Sequence, residues 1–222
     1  MNVFIVFAHP ERKSFNGALF DTAVHELTSL GHSLDTSDLY RMGFNPVSDR
    51  HNFRTVKDPD YLKLQAEEAY ASENDGFAPE LETEIRKLEM CDLLIAQFPL
   101  WWFGLPAILK GWFDRTLALG RTYGFGAMYR SGKFRGKRAM LCLTTGGPQE
   151  GYLTTGVHGD IDAILRPIQR GVLEFVGFDV LAPQIHFGAA RATTEQRAKW
   201  LSQYASRLRS IKCETPIVVD RY

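Results

Sequence analysis

The chain has 222 residues, 45% apolar and 23% charged, enough for one domain with a full core and unlike disordered, collagenous or disulfide-scaffold chains. Lys+Arg and Asp+Glu both number 26, and the zero net charge disfavours a nucleic-acid partner, which needs a basic excess. Three scattered cysteines, Cys91, Cys142 and Cys213, point to a reducing, cytoplasmic compartment, and no apolar run is long enough for membrane insertion.

Residues 2–8 (NVFIVFA) are a β-branched and aromatic run, suited to a strand buried on both faces. The apolar N-terminus has no basic start or small-residue cleavage site, so it reads as this strand and not as a signal peptide. Ser14 then caps a helical pattern through Leu19, Ala23, Leu27 and Leu30 that stops at Gly31. A half-polar strand follows at 32–39. Residues 40–78, with Gly43, Pro46, Asn52, Pro59 and a short amphipathic piece around 60–72, are too long for an ordinary connection and need a role of their own. Pro79 opens a helix to residue 90 with acids in its first turn. Residues 92–98 are a buried strand, and Pro106 opens the helix AILKGWFDRTLAL. Residues 138–145 are the fourth strand. A helix over 160–176 is expected to bend or restart at Pro167. Residues 178–187 read as a fifth strand, placed at an edge by Pro183. Thr193 to Gln196 is a capping box opening the last helix, to about residue 211.

Five strands separated by helices predict a single α/β domain over 1–222. Its core is an open parallel sheet of flavodoxin-like order 2-1-3-4-5, with helices on both faces and an insert at 40–78. Ligands bind such sheets beyond the carboxyl ends of the strands, at the switch point between strands 1 and 3. Three loops therefore carry the function.

The first is His9-Pro10-Glu11-Arg12-Lys13-Ser14-Phe15-Asn16. Free amides at the helix start favour an anion, with His9, Arg12, Lys13, Ser14 and Asn16 as donors; the alternative is a solvated polar cap. Neither GxxxxGK[ST] nor GxGxxG is present, so a P-loop and a dinucleotide fingerprint are both unsupported. The second is Gln97-Phe98-Pro99-Leu100-Trp101-Trp102-Phe103-Gly104-Leu105-Pro106. No strand or helix period hides three consecutive aromatics, so they wall a planar ligand, an interface, or both. The third begins Thr144-Thr145-Gly146-Gly147, where glycines admit a ligand to the backbone, and continues to Tyr152 and His158, donors suited to a developing anion. Asp160 reads equally as a helix cap. The histidines and cysteines show no metal spacing, and no GxSxG occurs. The basic run Lys133, Arg135, Lys137, Arg138 reads as a solvated loop, and Asp92 and Asp114 as local caps or ion pairs.

These residues resemble the NAD(P)H:quinone oxidoreductases, the DT-diaphorase family of flavoproteins. The matching stretches are AHPERKSFN, MGFNP with KDP, QFPLWWFGLPAILKGWFDR, TTGG, VHGD with RPIQRG, and FVGFDVLAPQ, in order over roughly residues 1–215. The resemblance implies flavin phosphates at His9, Phe15 and Asn16, and the flavin ring along Pro99, Leu100, Trp101, Trp102 and Phe103. Thr144, Thr145, Gly146 and Gly147 fall at the ring edge. Tyr152 and His158 match the pair that steadies negative charge on the reduced flavin, and Arg197 an arginine on the adenine side of FAD. Tyr123, Phe125, Met128 and Phe175 match a substrate pocket built between two subunits of a homodimer.

FAD is thereby expected over FMN, with NADPH or NADH as hydride donor and a small-molecule quinone as acceptor, in two-electron ping-pong turnover. Three departures stand out: Trp101 where the best-known members carry Gln, Phe125 in place of a second pocket Tyr, and an end at Tyr222 without the long extension of larger members. The first two bear on the acceptor, the third on nicotinamide binding. Alternative readings are an azo- or nitro-compound reductase, a flavin-binding regulatory subunit of a potassium-efflux system, and, last, a one-electron carrier.

Overall fold

The computed structural model describes residues 1–221. Strand β1 (Asn2–Phe7) is an inner strand, paired in parallel with β2 (Ser33–Asp38) on one side and β3 (Leu93–Pro99) on the other. β4 (Arg138–Thr144) follows β3, and the outer edge is completed by β5 (Asp179–Val180) and β6 (Gln184–His186). The order β2-β1-β3-β4-β5 is the expected one.

The expected fifth strand is broken in two. β4 pairs Ala139 with Val180 but Cys142 with Gln184, so the register slips by one residue between them. Pro183, which has no N–H for the ladder, sits at the slip, which behaves as an edge bulge.

Helices α1 (Phe15–Ser29) and α6 (Thr194–Ser210) cover one face, and α3 (Pro79–Met90), α4 (Ala107–Thr116) and α5 (Ile161–Ile168) the other. Along β1, Val3, Ile5 and Phe7 meet Leu19, Leu27 and Leu208, whereas Phe4, Val6 and Ala8 meet Leu88, Leu109 and Trp112. Both faces are dry, so the strand is a continuous apolar run. The Ser14 Oγ accepts the Gly17 amide at 3.2 Å, and Thr193 Oγ1 that of Gln196 at 3.2 Å, so both caps act as their sequences suggest.

Three local expectations change. Helix α4 stops at Thr116 instead of reaching Leu119. The helix containing Pro167 does not restart there; it widens into a π-helical stretch over Gln169–Glu174, which absorbs the missing amide. The basic run is not simply solvated: Lys137 Nζ donates to the Glu89 and Cys91 carbonyls, both at 2.7 Å, and Arg138 to those of Ile211 and Lys212. These cations cap helix ends whose carbonyls lack helical partners. Asp92, as expected, caps locally, accepting the Asn2 amide at 2.7 Å, and Asp114 pairs with Lys110 at 2.6 Å.

The 40–78 segment folds onto α3 and α4. It carries α2 (Leu64–Glu73), and its Phe53, Ala71 and Phe77 pack with Leu81, Ile85 and Ala118. The buried Arg115 of α4 clamps it, donating to Asn52 Oδ1 at 2.7 Å and the Asn45 carbonyl at 2.8 Å. Gly111 lets Pro46 approach: a Cβ there would stand 2.2 Å from the Pro46 carbonyl oxygen.

Candidate active site

The ends of β1, β3 and β4 and the start of α1 meet at the switch point. Asn16, in the first turn of α1 and 3% exposed, donates Nδ2 to Thr144 Oγ1 at 2.8 Å. Gln97, fully buried near the end of β3, donates Nε2 to the Asn16 carbonyl. Asn16 Oδ1 and Gln97 Oε1 are buried acceptors without partners. Such unpaired acceptors cost free energy, and they cluster where the start of α1 meets the ends of β3 and β4.

Not every donor of the first loop serves it. Arg12 pairs with Asp21 at 2.5 Å and lies over the Phe20 ring, 4.6 Å from its centroid. It is a structural cation, not an anion ligand. The His9 Nδ1 lies 3.0 Å from both the amide and the carbonyl of Glu11, which fixes the ring, and burial lowers the pKa of His9 below its usual value.

In the second loop, Trp101 and Gly104 exchange backbone bonds of 3.2 and 3.0 Å around Trp102 and Phe103, whose φ values are +50° and +58°. This is a hairpin-type turn that favours Asn-Gly, held here by two aromatics at a cost of about 1–2 kcal/mol each. The strain projects flat side chains: Trp101 is 41%, Trp102 98% and Phe103 49% exposed. Pro99 and Leu100 remain buried beneath them, with the Leu100 amide bonded to the Thr144 carbonyl at 2.8 Å. Trp101 faces His9 at 6.3 Å between ring centroids, and Phe103 faces His158 at 5.6 Å.

The third loop wraps around His158. The His158 amide donates to the Gly151 carbonyl at 2.8 Å, and its ring lies 4.9 Å from that of Tyr152. A Cβ on Gly147 would stand 3.0 Å from His158 Nε2, and one on Gly151 2.9 Å from Cδ2, so both glycines make room for the imidazole. Gly146 differs: a Cβ there meets nothing within 4 Å, leaving open space over the backbone. Thr145 anchors the turn through Oγ1 to the Gly147 carbonyl at 2.7 Å and through its amide to the His186 carbonyl at 3.1 Å. Asp160 caps α5 through the Asp162 amide at 3.0 Å, the structural reading of that residue.

Two groups of expected residues stand apart. Arg197 donates Nη2 to the Ala189 and Ala190 carbonyls at 3.2 and 3.4 Å, holding the loop beside Thr145, while its Nε is buried without a partner. Tyr123 and Phe175 pack on each other at 5.7 Å, and Phe175 on Tyr129 at 5.4 Å, with Phe125 93% exposed and Met128 half-buried nearby in sequence. Within the chain these rings partner one another, not His158.

Of the supporting residues, Gln97 was legible in the sequence, at the start of the second loop. His186 and Trp200 were not: their rings lie 5.4 and 5.7 Å from Phe15 and form a platform under the first loop. Burial lowers the His186 pKa to about 4. Gln65 and Glu68 of α2, which hold the Tyr123 hydroxyl, were also missed.

Comparison with known proteins agrees with this fold. A family model described as a flavodoxin-like fold matches residues 1–210. NAD(P)H dehydrogenase [quinone] 1 of Cavia porcellus is 44% identical over 96% of this chain and 78% of its own length. Ribosyldihydronicotinamide dehydrogenase [quinone] of Mus musculus is 45% identical over 97% of this chain and 94% of its own. A crystal structure from Klebsiella pneumoniae, provisionally described as a quinone reductase, superposes with a TM-score of 0.93 at 36% identity, covering 98% of this chain and 87% of that one. Among the described residues, no helix is long and apolar enough to cross a membrane, and no three His, Cys, Asp or Glu side chains are grouped to hold a metal. By sequence and by architecture, the chain belongs to the flavodoxin-like family and, within it, to the NAD(P)H:quinone oxidoreductases.

Proposed function

We propose that the three loops hold a flavin and that the enzyme uses it to reduce quinones with a reduced nicotinamide. The observation that carries the reading is the left-handed Trp102–Phe103 turn set against His158 and Tyr152, beside the open backbone of Gly146. The relatives favour quinone reduction over the azo-, nitro-compound and regulatory-subunit alternatives.

When bound, the flavin supplies two-electron hydride transfer between nicotinamide and quinone in ping-pong order. Asn16 and the α1 amides bind its polar end, with His9 and Phe15 alongside. Leu100, Trp101, Trp102 and Phe103 wall its ring and exclude water. Thr145, Gly146 and Gly147 orient its edge. His158 and the Tyr152 hydroxyl stabilise negative charge there. FAD is the preferred form, since Arg197 steadies the loop on which an adenine half would rest and keeps Nε in reserve.

Trp102 at 98% exposure, flanked by the exposed Trp101 and Phe103, and Phe125 at 93% offer apolar surface suited to a partner. A homodimer that places Tyr123, Phe125, Met128 and Phe175 of one subunit over the flavin loops of the other accounts for both. The identities divide almost evenly between relatives named for NAD(P)H and for ribosyldihydronicotinamide.

The test is to release the cofactor by heat, identify it by chromatography, and assay menadione reduction with NADPH, NADH and dihydronicotinamide riboside. Released FAD with turnover supports the reading in full. FMN removes the Arg197 role. Absence of flavin after soaking with both overturns it.

A further inference from the structure

The long insert reaches the expected substrate wall through Gln65 and Glu68 of α2. Glu68 of α2 is 7% exposed, and its Oε2 accepts the Leu119 amide at 2.8 Å. The same oxygen lies 3.5 Å from the Tyr123 hydroxyl, which also accepts Gln65 Nε2 at 3.2 Å. The Ser72 hydroxyl, bonded to the Glu68 and Leu119 carbonyls at 2.7 and 2.9 Å, fixes α2 to this turn.

The neighbouring acid shows what Glu68 lacks. Glu67 accepts the Lys57 and Asp58 amides and lies 3.8 Å from Arg50. Glu68 has no Arg, Lys or His partner within ion-pair distance among the described residues, and Tyr123 is the one titratable group bonded to it. Burial raises its pKa above the usual carboxylate range, although the Leu119 amide and the Tyr123 hydroxyl pull the other way. A buried carboxyl without a cation, behind an aromatic hydroxyl, is arranged to hold a proton.

Quinone reduction needs that proton. A hydride carries two electrons and one proton, and a neutral hydroquinone requires one proton more. We propose that Glu68 supplies this second proton through Tyr123. The Tyr123 O–H breaks as an O–H forms on the quinone oxygen. The Glu68 carboxyl returns a proton to the Tyr123 oxygen, and water reprotonates Glu68 before the next turnover. The 3.5 Å contact is long, as catalytic hydrogen bonds often are before substrate binds. Glu68 thus acts through Tyr123, not on the substrate itself. The inference rests on the reading of Tyr123 as a substrate wall.

The test compares a quinone with ferricyanide, an acceptor that takes electrons without protons. Glu68→Gln keeps the shape and both hydrogen bonds but cannot exchange a proton. We expect it to lower menadione turnover roughly tenfold or more, as for a lost general acid. Ferricyanide turnover and cofactor reduction by NADPH should stay within about twofold of the native enzyme. The native quinone rate should fall as pH rises through the Glu68 ionisation and show a solvent deuterium effect; the variant should show neither. Equal loss with both acceptors would make Glu68 merely structural and overturn the proposal, as would unchanged quinone turnover. Tyr123→Phe separates the two layers. If it slows menadione and Glu68→Gln does not, the relay fails alone. If Tyr123→Phe is silent as well, the placement of Tyr123 at the substrate fails with it.

Discussion

Asn16 and Thr144 are 128 residues apart, and their side chains meet at 2.8 Å in a buried hydrogen bond that ties the start of α1 to the end of β4. The bond fixes the first loop relative to the third and leaves Asn16 Oδ1 buried without a partner. Asn16→Ala removes the tie and strands the Thr144 hydroxyl, while the Gln97 bond to the main-chain carbonyl of residue 16 is kept. The expected cost is about 1–3 kcal/mol of stability, with flavin affinity falling tenfold or more. Chemical denaturation and a flavin fluorescence titration measure the two. Unchanged affinity would remove Asn16 from the site.

The Trp102–Phe103 turn trades stability for an exposed aromatic wall. Trp102→Gly relieves a left-handed non-glycine residue, and the melting temperature should rise, with a gain of about 1 kcal/mol. Menadione turnover should nevertheless fall at least tenfold. A variant that melts lower, or one that keeps full activity, contradicts the account of the turn.

Gly146 and Gly147 make a matched pair. Gly147→Ala places a methyl 3.0 Å from His158 Nε2 and 3.3 Å from Tyr152 Cε2, so the imidazole must move. Turnover should drop more than flavin affinity. Gly146→Ala meets no protein atom within 4 Å and fills the open space over the backbone instead. Flavin affinity should drop in that variant while its melting temperature is kept. Identical behaviour of the two substitutions would show that neither glycine faces a specific group.

His158 is assigned to charge stabilisation and not to holding the cofactor. His158→Gln should slow flavin reduction in stopped-flow by a larger factor than it weakens flavin binding. Equal losses would make His158 a binding residue only.

His186 gives the fold a pH dependence. Its pKa in the folded chain is lowered from 6.5 to about 4 because the neutral ring is buried under Phe15, Trp200 and Tyr204. The unfolded chain therefore binds the extra proton first. The stabilisation is complete above pH 6.5 and declines as pH falls toward 4, by about 1.4 kcal/mol per pH unit at most. His186→Phe should flatten this part of the stability profile measured by urea denaturation between pH 7 and 5. A native-like slope in the variant would assign the acid sensitivity elsewhere.

The sequence by itself determined the parts of this protein whose causes are local. The apolar runs of β1, β3 and β4, the caps at Ser14 and Thr193, Pro79 and the positive φ of +74° at Gly31 follow from side-chain chemistry and neighbouring residues, so the layered fold and its three functional loops were legible. The aromatic triplet 101–103 was also legible as an oddity, because no regular period buries it. Only the tertiary structure decided which polar groups remain for chemistry. Arg12 was available until Asp21 and Phe20 claimed it, and Lys137 until it capped Glu89 and Cys91. The one-residue slip between β5 and β6 depended on pairing with β4, and the contact of Glu68 with Tyr123 spans 55 residues. Hydrogen bonding and burial are properties of neighbours in space, and those neighbours exist only once the sheet and its insert have packed.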